Sequence, residues 1–321
     1  MMQLLVFKEN LKRFYGKYSI YIIPIVKFVI GAAAFFLINS NIGFMTRLNN
    51  PLIPVVMGLV ASIVPYGFTA FLAGCFVVVH VSRVSLEVAL ILCMFMLVVM
   101  MLYYGFRPGD GYLLLLTPML FFLKIPYVVP LLVGLSGSMV SIIPVSCGIC
   151  IYYMIMYLKQ NAGVLAGGSV SELATRFIQV AKSVFGNELM WVMVAAFAAA
   201  VVIVFIIRKL PVDYSWTIAI IAGVITELIV IFIGDFNYNL PVDLVSMILG
   251  ILVSVIIALI YQFFVFAVDY SRTEYLQYED DDYHYYVKAV PKIAVSAPDV
   301  KVHRIYSRKT GKNDKNKSDN N

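Results

Sequence analysis

Four acids stand in a row in YEDDDYHYYVKAVPK (Tyr278–Lys292): Glu279, Asp280, Asp281 and Asp282, with His284 two residues further on. Oxygen ligands this dense could hold a divalent cation. The alternating ligands and central glycine of a calcium loop are missing, however, and no second acidic cluster completes a catalytic carboxylate pair. No metal or cofactor is therefore expected. The flanking residues carry a different signal. Tyr283, Tyr285 and Val287 alternate with His284, Tyr286 and Lys288, which is a strand period, and Val300–Ile305 alternates again after a Ser-Ala-Pro-Asp turn. Two short strands bury too little to stand alone. The segment reads as a docking surface built from Glu279, Asp280, Asp281, Asp282, Tyr283, Tyr285 and Tyr286. Its partner would be a cytoplasmic protein or a second copy of the chain.

The other candidates are ionisable groups inside apolar runs. Glu227 lies in AIIAGVITELIVIFIG, about 10 Å from the outer end of its run at ~1.5 Å per residue. Lys27 lies about 13 Å above the inner end of the first run by the same rise. Similar depths make a Lys27–Glu227 pair feasible, either as an ion or substrate relay or as a polar clamp between helices. Lys124 interrupts LLLLTPMLFFLKIPYVVPLLVGL, where prolines demand irregular backbone. Such backbone is tolerated at membrane depth only inside protein or beside a water-filled cavity. Lys27, Glu227 and Lys124 are thus the expected substrate or ion pathway. Cys147-Gly148-Ile149-Cys150 puts two thiols on one helical face, but deep in an apolar run it reads as packing. His80, followed by Arg83, reads as an interface marker.

The elements that must position these residues follow from composition. Hydrophobic residues make up 62% of the 321 and charged residues 13%, against about half and about a quarter in soluble domains. Too little polar surface exists to coat the chain in water, so the bilayer is its solvent. The class is all-α: a polytopic membrane protein of about eight transmembrane helices, or ten if each proline-broken segment, 51–81 and 112–134, makes a hairpin. The net charge of +6 sits at the two ends, which argues for cytoplasmic termini in the cell membrane rather than for nucleic acid. Residues 1–18 read as an interfacial amphipathic helix, 19–267 as the membrane domain and 160–187 as an external loop with an amphipathic helix. Residues 268–305 form a cytoplasmic docking tail with β character, and 306–321 a disordered basic end. The loop Ser82–Ser85 falls on the inner side in this count.

Two internal echoes stand out. Val64-Pro65-Tyr66 with Gly74 recurs as Ile125-Pro126-Tyr127 with Gly134, the mark of a duplicated broken-helix unit. Leu210-Pro211-Val212-Asp213 recurs as Leu240-Pro241-Val242-Asp243, where an acid suits a helix start. No P-loop, HExxH, GxSxG or dinucleotide fingerprint is present, so no enzymatic activity is expected.

The tail VDYSRTEYLQYEDDDYHYYVKAVPK (Val268–Lys292) resembles that of multi-spanning proteins of Gram-positive anaerobes, some of them labelled permeases. No established activity is attached to that family, so the resemblance implies architecture alone. IVPYGFTAFLAGCF (Ile63–Phe76) resembles the proline-aromatic membrane segment of the stage II sporulation phosphatase, without its phosphatase domain. Two functions fit these readings: a secondary transporter or permease-like subunit, and a membrane scaffold that recruits a partner through its tail.

Overall fold

The computed structural model describes residues 2–166, 173–266, 268 and 270–292. Eleven α-helices and one β-hairpin lie among them: α1 (Met2–Ile42), α2 (Leu52–Ile63), α3 (Tyr66–Ser82), α4 (Leu86–Phe106), α5 (Gly111–Phe122), α6 (Val128–Ser136), α7 (Ile142–Ala166), α8 (Leu173–Phe185), α9 (Glu188–Ile207), α10 (Ser215–Tyr238), α11 (Leu244–Val265), β1 (Glu274–Glu279) and β2 (His284–Ala289). Six helices among the described residues, α1, α4, α7, α9, α10 and α11, are long and apolar enough to cross a membrane. The chain is an all-α membrane protein with a small C-terminal sheet.

The two proline-broken segments depart from the eight-helix expectation. Each folds as a pair of short helices that turns back on itself. Pro65, extended at φ −63° and ψ 151°, separates α2 from α3. Residues 123–127 separate α5 from α6. At ~1.5 Å per residue the 12 residues of α2 reach about 18 Å and the 9 of α6 about 14 Å, short of the ~30 Å hydrocarbon core.

Side-chain contacts fix the direction of each pair. Lys27 Nζ lies 5.6 Å from the Tyr66 ring, Phe35 meets Phe76 at 5.3 Å, and the Met45 N–H donates to His80 Nδ1 at 3.3 Å. Helix α3 therefore runs parallel to α1 and returns to the face where α1 ends. The loop Ser82–Ser85 lies on that face, opposite to the side expected for it. The second pair enters from the other face. Gly111 packs on Gly67 and Tyr103, Phe121 stacks on Tyr152 at 4.7 Å, and Arg208 donates to the Leu135 and Gly137 carbonyls where α6 ends.

Residues 1–18, expected as a separate interfacial helix, belong from Met2 to one 41-residue helix that runs on to Ile42. Nothing between Tyr18 and Ser19 breaks it, and Pro24 is accommodated within it. Lys8 Nζ donates to the Phe263 carbonyl at 2.7 Å, so the start of α1 and the end of α11 share a face. The sheet lies on that face too, since Lys288 Nζ reaches Asp213 Oδ1 in the α9–α10 connection at 2.7 Å. The loop expected at 160–187 begins later, because α7 continues to Ala166. Helix α8 buries Val180 and Val184, as its apolar period requires. Residues 167–172 of the expected loop lie outside the described residues.

Candidate functional site

Above the break of the second pair opens a cavity of about 730 Å³. Its rim is built from the start of α9, the end of α10 and the start of α11, so it opens on the face opposite the start of α1 and the sheet. Its floor is Lys124, Pro126 and Tyr127, and one wall is Tyr152, Tyr153 and Tyr157 of α7.

Local backbone chemistry sets the floor. Helix α5 ends with Lys124 N–H donating to the Phe121 carbonyl and Ile125 N–H to the Leu120 carbonyl, each at 3.0 Å. That is a Schellman arrangement, whose left-handed residue is usually glycine. Here it is Lys124, at φ 61°. Its side chain is exposed, and α6 begins beyond Tyr127 without a side-chain cap. The rim acids stand at helix starts. Asp243 caps α11, its Oδ1 accepting from Val245 and Ser246 N–H and its Oδ2 from the Ser246 hydroxyl at 2.5 Å. The Ser246 bonds, and more weakly the Lys124 charge, hold the Asp243 carboxyl below the usual carboxylate range. Glu188 stands in the first turn of α9, which Asn187 caps.

Glu227 lies beneath this floor. It is fully buried on α10, and neither carboxylate oxygen has a hydrogen-bond partner. One turn nearer the rim Ile231 lines the cavity, and Tyr127 forms part of the floor. A buried carboxyl without cation or donor is accommodated as the neutral acid.

The expected Lys27–Glu227 pair does not form. Lys27 Nζ donates to the Val64 carbonyl at 3.3 Å, at the tip of the other helix pair. Equal depth along two helices says nothing of which helices are neighbours, and Gly223, one turn from Glu227, packs on Leu131 of α6 and Val204 of α9. Of the three expected pathway residues, Lys124 lines the cavity, Glu227 lies buried one turn from its lining residue Ile231, and Lys27 stands at the other helix pair. Tyr127, Tyr152, Tyr153 and Asp243 complete the site. Only Tyr127 and Asp243 carried a signal in the sequence, through the two repeated tetrads and triads, because the α7 tyrosines lie within an unremarkable apolar run.

The acidic stretch has its own structural account. Strand β1, which alternation had not flagged, pairs antiparallel with β2 in the register Glu274–Ala289 to Glu279–His284. Asp280 organises the turn between them, its Oδ1 accepting from the Asp282 and Tyr283 N–H groups at 3.0 and 2.7 Å and its Oδ2 from the Tyr285 hydroxyl at 2.8 Å. These bonds, the Tyr285 hydroxyl first, hold its carboxyl below the usual range. Glu279 pairs with His284 at 3.0 Å, while Asp281, Asp282, Tyr283 and Tyr286 remain exposed. No cluster able to hold a metal occurs among the described residues. The second expected strand, Val300–Ile305, lies outside them.

No family model matches the chain, and no curated protein or solved structure is similar to it.

Proposed function

We propose that this protein is a secondary transporter of the cell membrane, with six crossing helices, two re-entrant helix pairs and both chain ends on the cytoplasmic face. One observation carries the reading. The pairs broken at Val64-Pro65-Tyr66 and Ile125-Pro126-Tyr127 enter from opposite faces, the arrangement that inverted repeats produce in transporters. The cavity over the second break supports it, its size falling within the ~300–1,000 Å³ of small-molecule sites. Glu227, buried beneath that cavity, would carry the coupling proton. The basic residues Lys8, Lys12, Arg13 and Lys17 near the start of α1 support the orientation.

The test is flux into proteoliposomes that hold a pH-sensitive dye, across small organic acids, amines and sugars, with native protein and Glu227→Gln. Acidification or alkalinisation with at least one class, abolished by Glu227→Gln, is the expected outcome. No flux with any class sinks the proposal.

A scaffold role is favoured by a separate observation. Tyr275 and Tyr286 of the tail sheet are each 78% exposed, and large exposed aromatics are what partner surfaces use. Affinity purification of the full chain beside a version ending at Ser271 tests it. A partner lost with the tail supports the scaffold, and an unchanged set of partners ends it.

A further inference from the structure

We infer that the groove between α4 and α7, roofed by α8, binds a phospholipid, with one acyl chain lying along the groove and the headgroup phosphate at Lys182. This stands apart from the transport reading and needs only that α4 and α7 cross the bilayer.

The groove follows from a helical period. Ile91, Phe95, Val98, Leu102 and Phe106 recur every three or four residues along α4, and the same period runs on α7 from Ile143 to Met154. Between the two stripes remains a volume of about 590 Å³. Apart from Ser146, the two cysteines and Trp191, every lining side chain among the described residues is hydrocarbon or thioether. The Trp191 indole N–H is spent on the Phe185 carbonyl at 2.6 Å. Water has too few partners there to stay, and an empty groove would forfeit dispersion contacts along both walls.

The dimensions name the occupant. From Ile91 to Phe106 the groove runs about 22 Å at ~1.5 Å per residue, so its 590 Å³ amounts to a mean cross-section of about 26 Å². An α-helix about 10 Å across needs about 80 Å². A helix of a partner or of a second copy therefore cannot sink between α4 and α7, whereas a single hydrocarbon chain can.

Helix α8 supplies the headgroup end. Val180 and Val184 are buried beneath it, and Phe185 meets Phe95 at 6.2 Å, which closes the groove on the face opposite the start of α1. Ile178, Lys182 and Phe185 share the other side of α8 by their spacing of four and three, and all three are exposed. A cation thus stands between two apolar side chains, as amphipathic helices place them at the boundary of headgroup and acyl chain. Phe185 also lines the groove, so the sites for chain and headgroup adjoin.

The full chain would be reconstituted in nanodiscs of phosphatidylglycerol, released into mild detergent and weighed intact by native mass spectrometry. A single phospholipid retained on the monomer is expected. Val98→Trp and Ser146→Phe, which fill the groove from its two walls, should lower the retained fraction at least about tenfold. Met101→Trp, on an exposed side of α4 away from the groove, should leave it unchanged. Lys182→Gln should lower it about fivefold, the effect of one basic side chain at an anionic headgroup, and Lys182→Arg should keep it. Thermal unfolding shows that each variant is folded. Retention unchanged in the folded groove variants, or lowered equally by Met101→Trp, would overturn the groove as the site. Retention unchanged by Lys182→Gln would overturn the headgroup contact. A lipid-free dimer dispersed by Val98→Trp would give the groove to a second copy of the chain, and a lipid-free monomer would overturn the inference outright.

Discussion

Lys27 Nζ and the Val64 carbonyl oxygen lie 3.3 Å apart at the tip of the first helix pair, with the Tyr66 ring 5.6 Å from the same ammonium. The end of α2 leaves its last carbonyls without intrahelical partners, and its dipole favours a cation there. Lys27 meets both needs. The residue that looked like half of a relay is a cap that holds a broken helix in place.

Removing that cap should cost stability and spare the cavity. Lys27→Met is expected to destabilise the fold by about 1.5–3 kcal/mol, the range for a hydrogen bond to a charged group, with Lys27→Arg milder. Thermal unfolding in detergent measures the first effect. Unchanged flux in the proteoliposome assay checks the second, and a loss of flux in a folded Lys27→Met would return this lysine to the pathway.

Lys124 poses the opposite case. A side chain in the left-handed region costs about 1–2 kcal/mol that glycine avoids. Lys124→Gly should therefore raise the unfolding midpoint, measured by thermal unfolding in detergent. A destabilised Lys124→Gly would mean that the lysine is there for the fold.

The arm α6 is held by close approach. A Cβ at Gly223 would lie 2.5 Å from Val204 Cγ2 and 2.8 Å from Leu131 Cδ2. Gly223→Ala is expected to destabilise by about 1–3 kcal/mol through overpacking. Val204→Ala should recover most of that loss in the double variant. A double-mutant cycle by thermal or denaturant unfolding reads the coupling, and strict additivity would place the strain elsewhere.

The returning first pair has a topological consequence. A cysteine introduced at Arg83 in a cysteine-free background should react with an impermeant maleimide from the same side as one at Arg47. It should not react from the side that labels a cysteine at Lys12. Labelling of the Arg83 position from the Lys12 side would restore the eight-crossing arrangement.

The tail turn should be sensitive to acid. Because hydrogen bonds hold the folded Asp280 carboxyl below the ordinary value near ~3.9, its contribution is complete above that value and is lost as pH falls through the depressed one. Amide exchange at Asp282 and Tyr283 in the full chain should lose protection below about pH 4. Asp280→Asn, which keeps an acceptor oxygen, should retain protection at low pH, and Asp280→Ala should lack it at every pH.

The length of each apolar run, the prolines that break two of them and the scarcity of charge are local properties, and they suffice to name lipid as the solvent and helix as the fold. Pro65 and Pro126 likewise announce where backbone must be irregular. What they leave open is whether an irregular point is a kink or a reversal, because both satisfy the missing N–H. That choice rests with packing: Phe76 against Phe35 and His80 against Met45 turn α3 back toward the face it came from. Lys27 and Glu227 show the same divide. A rise of ~1.5 Å per residue makes depth readable along one helix, and it placed the two at similar levels. Lateral neighbourhood has no such rule, and the bundle set Lys27 against Val64 and buried Glu227 on α10, one turn from the cavity-lining Ile231.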